Sequence, residues 1–363
     1  MRLQLLLALV IEMNTLKPSL ESLLTRDNLI NEDIVFLLSL QNPLEVKLLY
    51  KKADEIRKEY CGAEVHLRGI IEFSNNCEQD CPYCGLRVSN LSLDRYRMNS
   101  DEIFATAEHI YNAGVKTIVL QSGEDIEYNR SLITELIKSI KNKLDVAITL
   151  SLGERDFGDY NGWKKAGADR YLLKHETANP NLYEKLHQKQ PLEERVQHLR
   201  YLKSIGFQTG SGNMIGLPGQ SFEDIADDIL LCKELDCDMV SISPFISSPD
   251  TPFKNVPNAN IDLTLKAMAV SRIVLKDVHI PATTALGTLD AFGREKGLQI
   301  GANVIMPNYT PNPYRQNYKI YPDKKCIGDD PLACGSCLTL MIESLGRKVG
   351  TSKGHSLKVK EVF

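Results

Sequence analysis

HLRGIIEFSNNCEQDCPYCGLR, residues 66–87, opens as an apolar run and closes on three cysteines, Cys77, Cys81 and Cys84. Within the run, Leu67, Ile71 and Phe73 share one parity, while Arg68 and Glu72 share the other. Strand side chains alternate between faces, so this is a strand with one apolar and one polar face. Seven further runs follow: KTIVLQSG from Lys116, VAITLSLGE from Val146, DRYLLKHET from Asp169, TGSGNMIGLPG from Thr209, DMVSISPFI from Asp238, IPATTALG from Ile280 and GANVIMPN from Gly301. Helical patterns separate most of them. SDEIFATAEHIYNAG is entered from Asn99 or Ser100 and stops at Gly114. SFEDIADDILLCKEL starts at Ser221, with Asp224 three residues on as a capping-box variant. Pro191 stands in the first turn of PLEERVQHLRYLKSIG. The connection after the seventh run, LDAFGREKGLQIG, has the weakest helix signal.

Eight strands alternating with helices predict an α/β fold, a complete (βα)8 barrel or, failing that, a doubly wound sheet. The barrel spans residues 63–310. Residues 1–62 form a helical cap over one barrel end, and residues 311–363 a C-terminal extension. The polar parity recurs: Thr149 and Ser151 oppose Ile148, Leu150 and Leu152; Arg170, Lys174 and Glu176 oppose Tyr171 and Leu173; Ser241 and Ser243 oppose Val240 and Ile242. Barrel interiors are usually filled with branched apolar layers. Any one pair, such as Arg68 with Glu72, reads best as a structural ion pair. Four strands with the same bias imply a polar lumen that holds ligands or water.

The 363 residues are 43% apolar and 25% charged, ordinary for a folded chain. Lys plus Arg is 43 against 47 Asp plus Glu, a net charge of −4, and no basic run occurs; this excludes nucleic acid as the main partner. No apolar stretch reaches the ~18 residues of a membrane span. MRLQLLLALVIEM is the one leader-like segment; it lacks a small-x-small cleavage site, so an extra helical turn or a true start at Met13 reads better than export.

Six of the nine cysteines fall into two triads, which is ligand spacing and not a disulfide framework; thiolate ligands point to the reducing cytoplasm. Cys61, Cys232 and Cys237 read as small buried hydrophobes. Cys77, Cys81 and Cys84 form C-x3-C-x2-C at the carboxyl end of a barrel strand, where barrel chemistry sits. Three such thiolates can hold three corners of a 4Fe–4S cubane and leave the fourth iron open to a substrate. Zinc would want a fourth Cys or His nearby. The second triad, Cys326, Cys334 and Cys337, is spaced C-x7-C-x2-C. It suits an accessory 2Fe–2S or 4Fe–4S cluster, with zinc and unligated packing left open.

The C-x3-C-x2-C triad is the signature of the radical S-adenosylmethionine (SAM) superfamily. The resemblance goes further. IIEFSNNCEQDCPYCGLR, TIVLQSGED, TLSLGE, DRYLLKHETANP, MIGLPGQ, PATTALGT and GANVIMPNYTPNPYRQ occur in the order, and at the spacings, of the radical-SAM maturases of FeFe-hydrogenase, the E-subunit family, from about Asp54 onward. That resemblance implies a cluster whose open iron chelates SAM, and reductive cleavage of SAM to a 5′-deoxyadenosyl radical. It implies that Tyr83 lies beside the adenine and that Ser122, Gly123 and Glu124, in SGED up to Asp125, meet the SAM amino group. Glu176 would hold the amino or ribose region, and Arg195 the SAM carboxylate in bidentate geometry. On its own, Arg195 reads as a solvated helix charge. Gly212 to Gly219 would suit close backbone approach to a cofactor. Gln121, Thr149, Thr283, Thr284, Met306, Tyr318 and Tyr321 would line a substrate cavity, with Arg68 and Lys174 able to hold an anion. In the family the lysine position is often Arg, which loses bidentate geometry here.

The implied substrate is a small organometallic iron–cysteine complex bearing CO and cyanide, whose sulfur the radical attacks on the way to a diiron precursor of the hydrogenase H-cluster. The implied partners are a tyrosine lyase (the G subunit), a GTPase scaffold (the F subunit) and an external one-electron reductant. Two other readings are an amino-acid mutase similar to methylornithine synthase and a non-catalytic iron–sulfur carrier.

Overall fold

Apolar side chains of one parity face outward from six parallel strands, and polar ones of the other parity face inward. The computed structural model describes residues 19–188, 190–328 and 331–358. The leader-like segment, with the choice between Met1 and Met13, lies outside the described residues. Helices α1 (Leu20–Thr25), α2 (Asn31–Ser39) and α3 (Pro43–Cys61) precede β1 (Glu64–Leu67) and β2 (Gly69–Ser74). Then come α4 (Ser100–Asn112), β3 (Thr117–Ser122), α5 (Arg130–Lys143), β4 (Ala147–Ser151), α6 (Phe157–Ala166) and β5 (Arg170–Leu172). The chain continues through α7 (Pro180–Leu186), α8 (Leu192–Ser204), β6 (Gln208–Ile215), α9 (Phe222–Glu234), β7 (Met239–Pro244) and α10 (Ile261–Leu275). It finishes with α11 (Thr284–Leu289), α12 (Gly293–Gln299), β8 (Val304–Ile305), α13 (Tyr314–Asn317), α14 (Pro331–Ser344) and β9 (Lys348–Val349).

Strands β2 to β7 pair in chain order, all parallel. The ring closes through parallel bridges Met239↔His279, Pro281↔Val304 and Ile70↔Asn308 and through β1 on β8. Eight positions around one ring make the α/β barrel. Two runs depart from the predicted strands. The first splits at Arg68: β1 pairs with β8 and β9, and β2 with β3. The seventh makes only bridges and then turns helical. Pro281 has no N–H for a ladder, and Thr283 caps α11 by accepting from Leu286 N at 3.2 Å.

The parity reading holds. Ile71, Phe73, Ile148, Leu150, Tyr171, Leu173, Val240 and Ile242 all belong to the main apolar core between strands and helices. The helices begin where their caps predict: Asn99 and Glu102 bond reciprocally at 2.8 and 2.9 Å, and Ser221 and Asp224 at 2.8 and 3.2 Å. Pro191 is the N-cap of α8, one residue before its first turn.

The sequence predicts a cap over one barrel end in residues 1–62, of which the structure describes those from residue 19. Among the described residues, α2 and α3 pack along the flank, against α9 and α10. Asn31 Nδ2 reaches Asp227 at 2.6 Å, and Lys266 Nζ reaches the Leu40 carbonyl at 2.9 Å. α10 is thereby enclosed, and every residue from Thr264 to Leu275 is buried. The tail beyond β9 closes the amino end of the barrel. The Lys353 carbonyl accepts from Thr117 Oγ1 and Arg170 Nη2 at 2.8 and 2.7 Å, Gly354 O from Arg170 Nη2 at 2.8 Å, and His355 O from His279 Nε2 at 2.9 Å. Among the described residues no helix is long and apolar enough to cross a membrane.

Candidate active site

The cysteine loop between β2 and α4 has little regular structure, so side chains must satisfy its backbone. Asn75 donates to the carbonyls of Asp94 and Asn317, both at 2.8 Å, and accepts from Tyr96 N at 2.8 Å. Arg95 donates to the carbonyls of Asn75, Leu86 and Arg87 at 2.5, 2.8 and 2.7 Å. Asp80, between the first two cysteines, is gripped by Arg87 at 2.7 and 2.8 Å and by Ser89 Oγ at 2.9 Å.

The loop after β3 presses on this one. A Cβ on Gly123 would stand 2.2 Å from Asn76 O and 2.7 Å from Cys77 Cβ, so only glycine fits. The next residue, Glu124, donates its backbone N–H to Cys77 Sγ at 3.4 Å. The Glu124 carboxylate accepts from Gln79 Nε2 at 2.6 Å and from Glu154 N at 3.1 Å, and burial pushes its pKa up. Gly212 is different. A Cβ there would meet the Ser241 carbonyl oxygen at 2.0 Å, so the close approach at this position is to the neighbouring strand.

Above the cysteine loop's inner face lies a cavity of about 390 Å³. Cys81, Tyr83, Cys84, Ser122, Glu176 and Arg195 line it, with Gln121, Lys174, Thr283, Thr284, Met306, Tyr318 and Tyr321. The structure thus brings together all but two of the residues expected in the substrate cavity. Arg68 and Thr149 line a separate, smaller void, with Met239, His279 and Met306. Arg68 is fully buried, and burial drives its pKa down. Its Nη1 meets Met239 Sδ at 2.7 Å and its Nη2 the Gly354 carbonyl at 3.4 Å, toward the plugged end.

Lys174 Nζ pairs with Glu176 at 2.7 Å. Glu176 has φ of 64°, an uncommon conformation for a residue with a Cβ, at the carboxyl end of the β5 region. Arg195, 4% exposed, is no solvated helix charge. Its Nε pairs with Glu154 and its Nη1 donates to the Lys174 carbonyl at 2.8 Å.

Of the second triad, Cys326 is partly buried, with Arg294 Nη1 at 3.9 Å from its sulfur, and Cys337 is exposed; the side chain of Cys334 lies outside the described residues. Cys232 and Cys237 are buried as expected, while Cys61 is only partly so.

The radical SAM superfamily signature matches residues 71–232. The FeFe hydrogenase maturase subunit HydE of Thermotoga maritima is 54% identical over 313 residues, 86% of this chain and 90% of that protein. The chain belongs to the HydE family of radical SAM enzymes. The 3-methylornithine synthase of Methanosarcina acetivorans is 31% identical over 78% of this chain and 81% of its own length. A crystal structure of methylornithine synthase shares the fold with a TM-score of 0.79 at 26% identity, covering 92% of this chain and 97% of that one.

Membership of the HydE family brings a 4Fe–4S cluster and SAM as cofactors. The donor set fits the cluster. Burial raises the pKa of all three loop thiols, Cys84 to about 12; the charge of Cys77 raises Cys81 and Cys84 further, and that of Cys84 raises Cys81. Such sulfurs become thiolates only beside a compensating cation. Among the described residues no three His, Cys, Asp or Glu side chains gather around a single-ion position. A cubane, with its three thiolates on three separate irons, accepts them farther apart than one zinc would.

Three residues of the HydE-type site were not singled out from the sequence. Glu154 holds Arg195; its signal was its place in TLSLGE, three residues past a barrel strand. Lys324 pairs with Glu72 in the cavity wall and lies 4.9 Å over the Tyr318 ring; nothing marks it within YPDKKC. His187 stands between Cys81 and Tyr83 at the end of α7.

Proposed function

We propose that this chain is the SAM-cleaving enzyme of FeFe-hydrogenase maturation and acts on an iron–cysteine complex carrying CO and cyanide. The observation that carries this reading is the 54% identity to HydE across 90% of that protein. Cys77, Cys81 and Cys84 hold the cluster. When bound, the cluster supplies the electron that splits SAM into methionine and a 5′-deoxyadenosyl radical. Tyr83 packs beside the adenine, the Ser122–Gly123–Glu124 loop meets the SAM amino group, and Glu176 binds the amino or ribose region. Arg195 binds the SAM carboxylate. Glu154 fixes the plane of its guanidinium, which a bidentate contact requires.

Gln121, Lys174, Thr283, Thr284, Met306, Tyr318 and Tyr321 enclose the substrate. A walled cavity excludes water and competing hydrogen donors, while the cofactor carries the difficult chemistry. Lys174 offers a point charge to an anionic ligand. Cys326, Cys334 and Cys337 hold an accessory iron–sulfur cluster. The enzyme works in the cytoplasm, receives substrate from the tyrosine lyase, passes product to the GTPase scaffold and draws electrons from an external reductant.

The test is anaerobic turnover of the reconstituted enzyme with SAM, dithionite and the iron–cysteine–CO–cyanide complex. Wild type forms 5′-deoxyadenosine and shifts the CO and cyanide infrared bands. Cys77→Ala, Cys81→Ala and Cys84→Ala each form none. Unchanged infrared bands together with SAM regeneration on an amino-acid substrate would convert the reading to a mutase.

A further inference from the structure

The three loop sulfurs are not served alike. Cys77 accepts from the backbone N–H groups of Gln79 and Glu124, and Cys84 from that of Leu86. Cys81 is met by side chains: Tyr83, and His187, whose Nδ1 is 3.6 Å from its sulfur. The His187 ring has its other nitrogen, Nε2, 3.2 Å from the Tyr83 hydroxyl oxygen. It stacks on Tyr183 with centroids 4.7 Å apart and an interplanar angle of 23°, and it is 7% exposed. His187 also C-caps α7, its backbone N–H bonding to Tyr183 O at 2.8 Å. The ring is therefore held by the helix end and by the stack.

Cys81, His187 and Tyr83 form a triangle with few protons to share. A neutral imidazole has one donor and one acceptor, and a phenol has one donor. A doubly protonated ring would donate from both nitrogens, to Cys81 included. If the Tyr83 proton went to Cys81, His187 Nε2 would donate to Tyr83. The lone pair of Nδ1 would then face the sulfur. A cysteine bound to iron is a thiolate and only accepts, so that arrangement sets two lone pairs against each other. In the other arrangement Tyr83 donates to Nε2 and Nδ1–H donates to Cys81, and every group is satisfied.

We infer that His187 is a positioning residue that donates a hydrogen bond to the Cys81 thiolate, raises the reduction potential of the cluster and fixes the Tyr83 ring. This rests on placing the cluster at the Cys77–Cys81–Cys84 triad. Reduction adds one negative charge, supplied by the external reductant, and a donor at the sulfur stabilises the more negative state. Hydrogen bonds to cluster sulfurs are among the terms that set such potentials. Because the other two sulfurs rely on backbone donors, Cys81 is the one whose hydrogen bonding side-chain chemistry controls.

The test is an EPR-monitored redox titration of the reconstituted full-length protein without SAM, with iron and sulfide counted in each variant. His187→Phe keeps the stack and removes both hydrogen bonds. It shifts the reduction equilibrium about tenfold toward the oxidised cluster, a midpoint about 59 mV lower. His187→Asn presents an amide N–H near the Nδ1 position and restores the wild-type midpoint. His187→Gln presents it near the Nε2 position and follows Phe. A fully loaded His187→Phe that titrates with wild type overturns the inference. Should His187→Phe fail to load, equal midpoints for Asn and Gln overturn it. A wild-type chain that assembles no cluster overturns instead the functional reading on which the inference rests.

Discussion

Gly123→Ala adds one methyl group where the loop after β3 meets the cysteine loop. The new Cβ would fall short of ordinary contact by about 1.2 Å at Asn76 O and about 0.7 Å at Cys77 Cβ. Neither neighbour is the free end of a flexible side chain. Asn76 O is backbone, and Cys77 Cβ is one bond from it. The flanking residues are anchored by Asn75, Arg95 and the Glu124 N–H bond to Cys77 Sγ at 3.4 Å. Relief must therefore come from moving one loop about 1 Å, and overpacking of this kind costs about 1–3 kcal/mol. The displacement falls on Cys77, a ligand of the cluster in the proposed site, so the loss should appear first in the cluster. Reconstituted Gly123→Ala should hold markedly less iron and sulfide per chain than wild type. Its 5′-deoxyadenosine formation should drop by more than the iron loss alone, since the same loop meets the SAM amino group in the proposed site. The apoprotein should stay folded by circular dichroism, with a modestly lower Tm. A variant with a full cluster and wild-type SAM cleavage would refute the idea that the two loops are in rigid contact.

Two other predictions follow from the same site. Arg195→Ala and Glu176→Ala should each weaken SAM binding by about tenfold or more, because a hydrogen bond to a charged group is worth about 1.5–3 kcal/mol. Iron content should be retained; unchanged affinity by equilibrium dialysis would remove both residues from the SAM site. Asp80, gripped chiefly by Arg87, has its pKa lowered to about 2 from 3.8. A depressed carboxyl stabilises the fold fully above its unfolded pKa and loses that contribution as pH falls from about 4 through 2. After discounting for solvent screening, the contribution is about 1 kcal/mol. Asp80→Asn should therefore flatten the acid limb of stability between pH 4 and 2, and an unaltered limb in urea titrations would discount the clamp.

Much of this architecture was legible because parity is a strong signal. Glu72, Ser151, Lys174 and Ser241 alternate with Ile71, Leu150, Leu173 and Val240, and the fold sends the first set to the lumen and the second to the core. Parity, however, says which face a residue takes and not how far along the axis it sits. Arg68 and Thr149 have lumen parity but lie a layer below the cavity, in the void near the plugged end. The seventh run, IPATTALG from Ile280, reads as a strand like the others; Pro281, with no N–H for a ladder, and the Thr283 cap of α11 end it after isolated bridges. His187 and Lys324 could not be found by pattern at all. Each reaches the site from a helix end or a loop distant in sequence, and a lone His or Lys has the same appearance there as on a solvated surface.

The carbonyls that receive Arg170, Thr117 and His279 at the barrel floor belong to Lys353, Gly354 and His355, which are synthesised after every barrel strand. A nascent chain emerging from the ribosome can pair its strands, and Gln208 and Thr117 already accept from Arg170, yet Arg170 Nη2 and His279 Nε2 wait for the carbonyls of this tail. Barrel and tail should therefore assemble as one cooperative unit, and a chain cut back to residues 63–310 should lose stability in urea titrations for want of these acceptors.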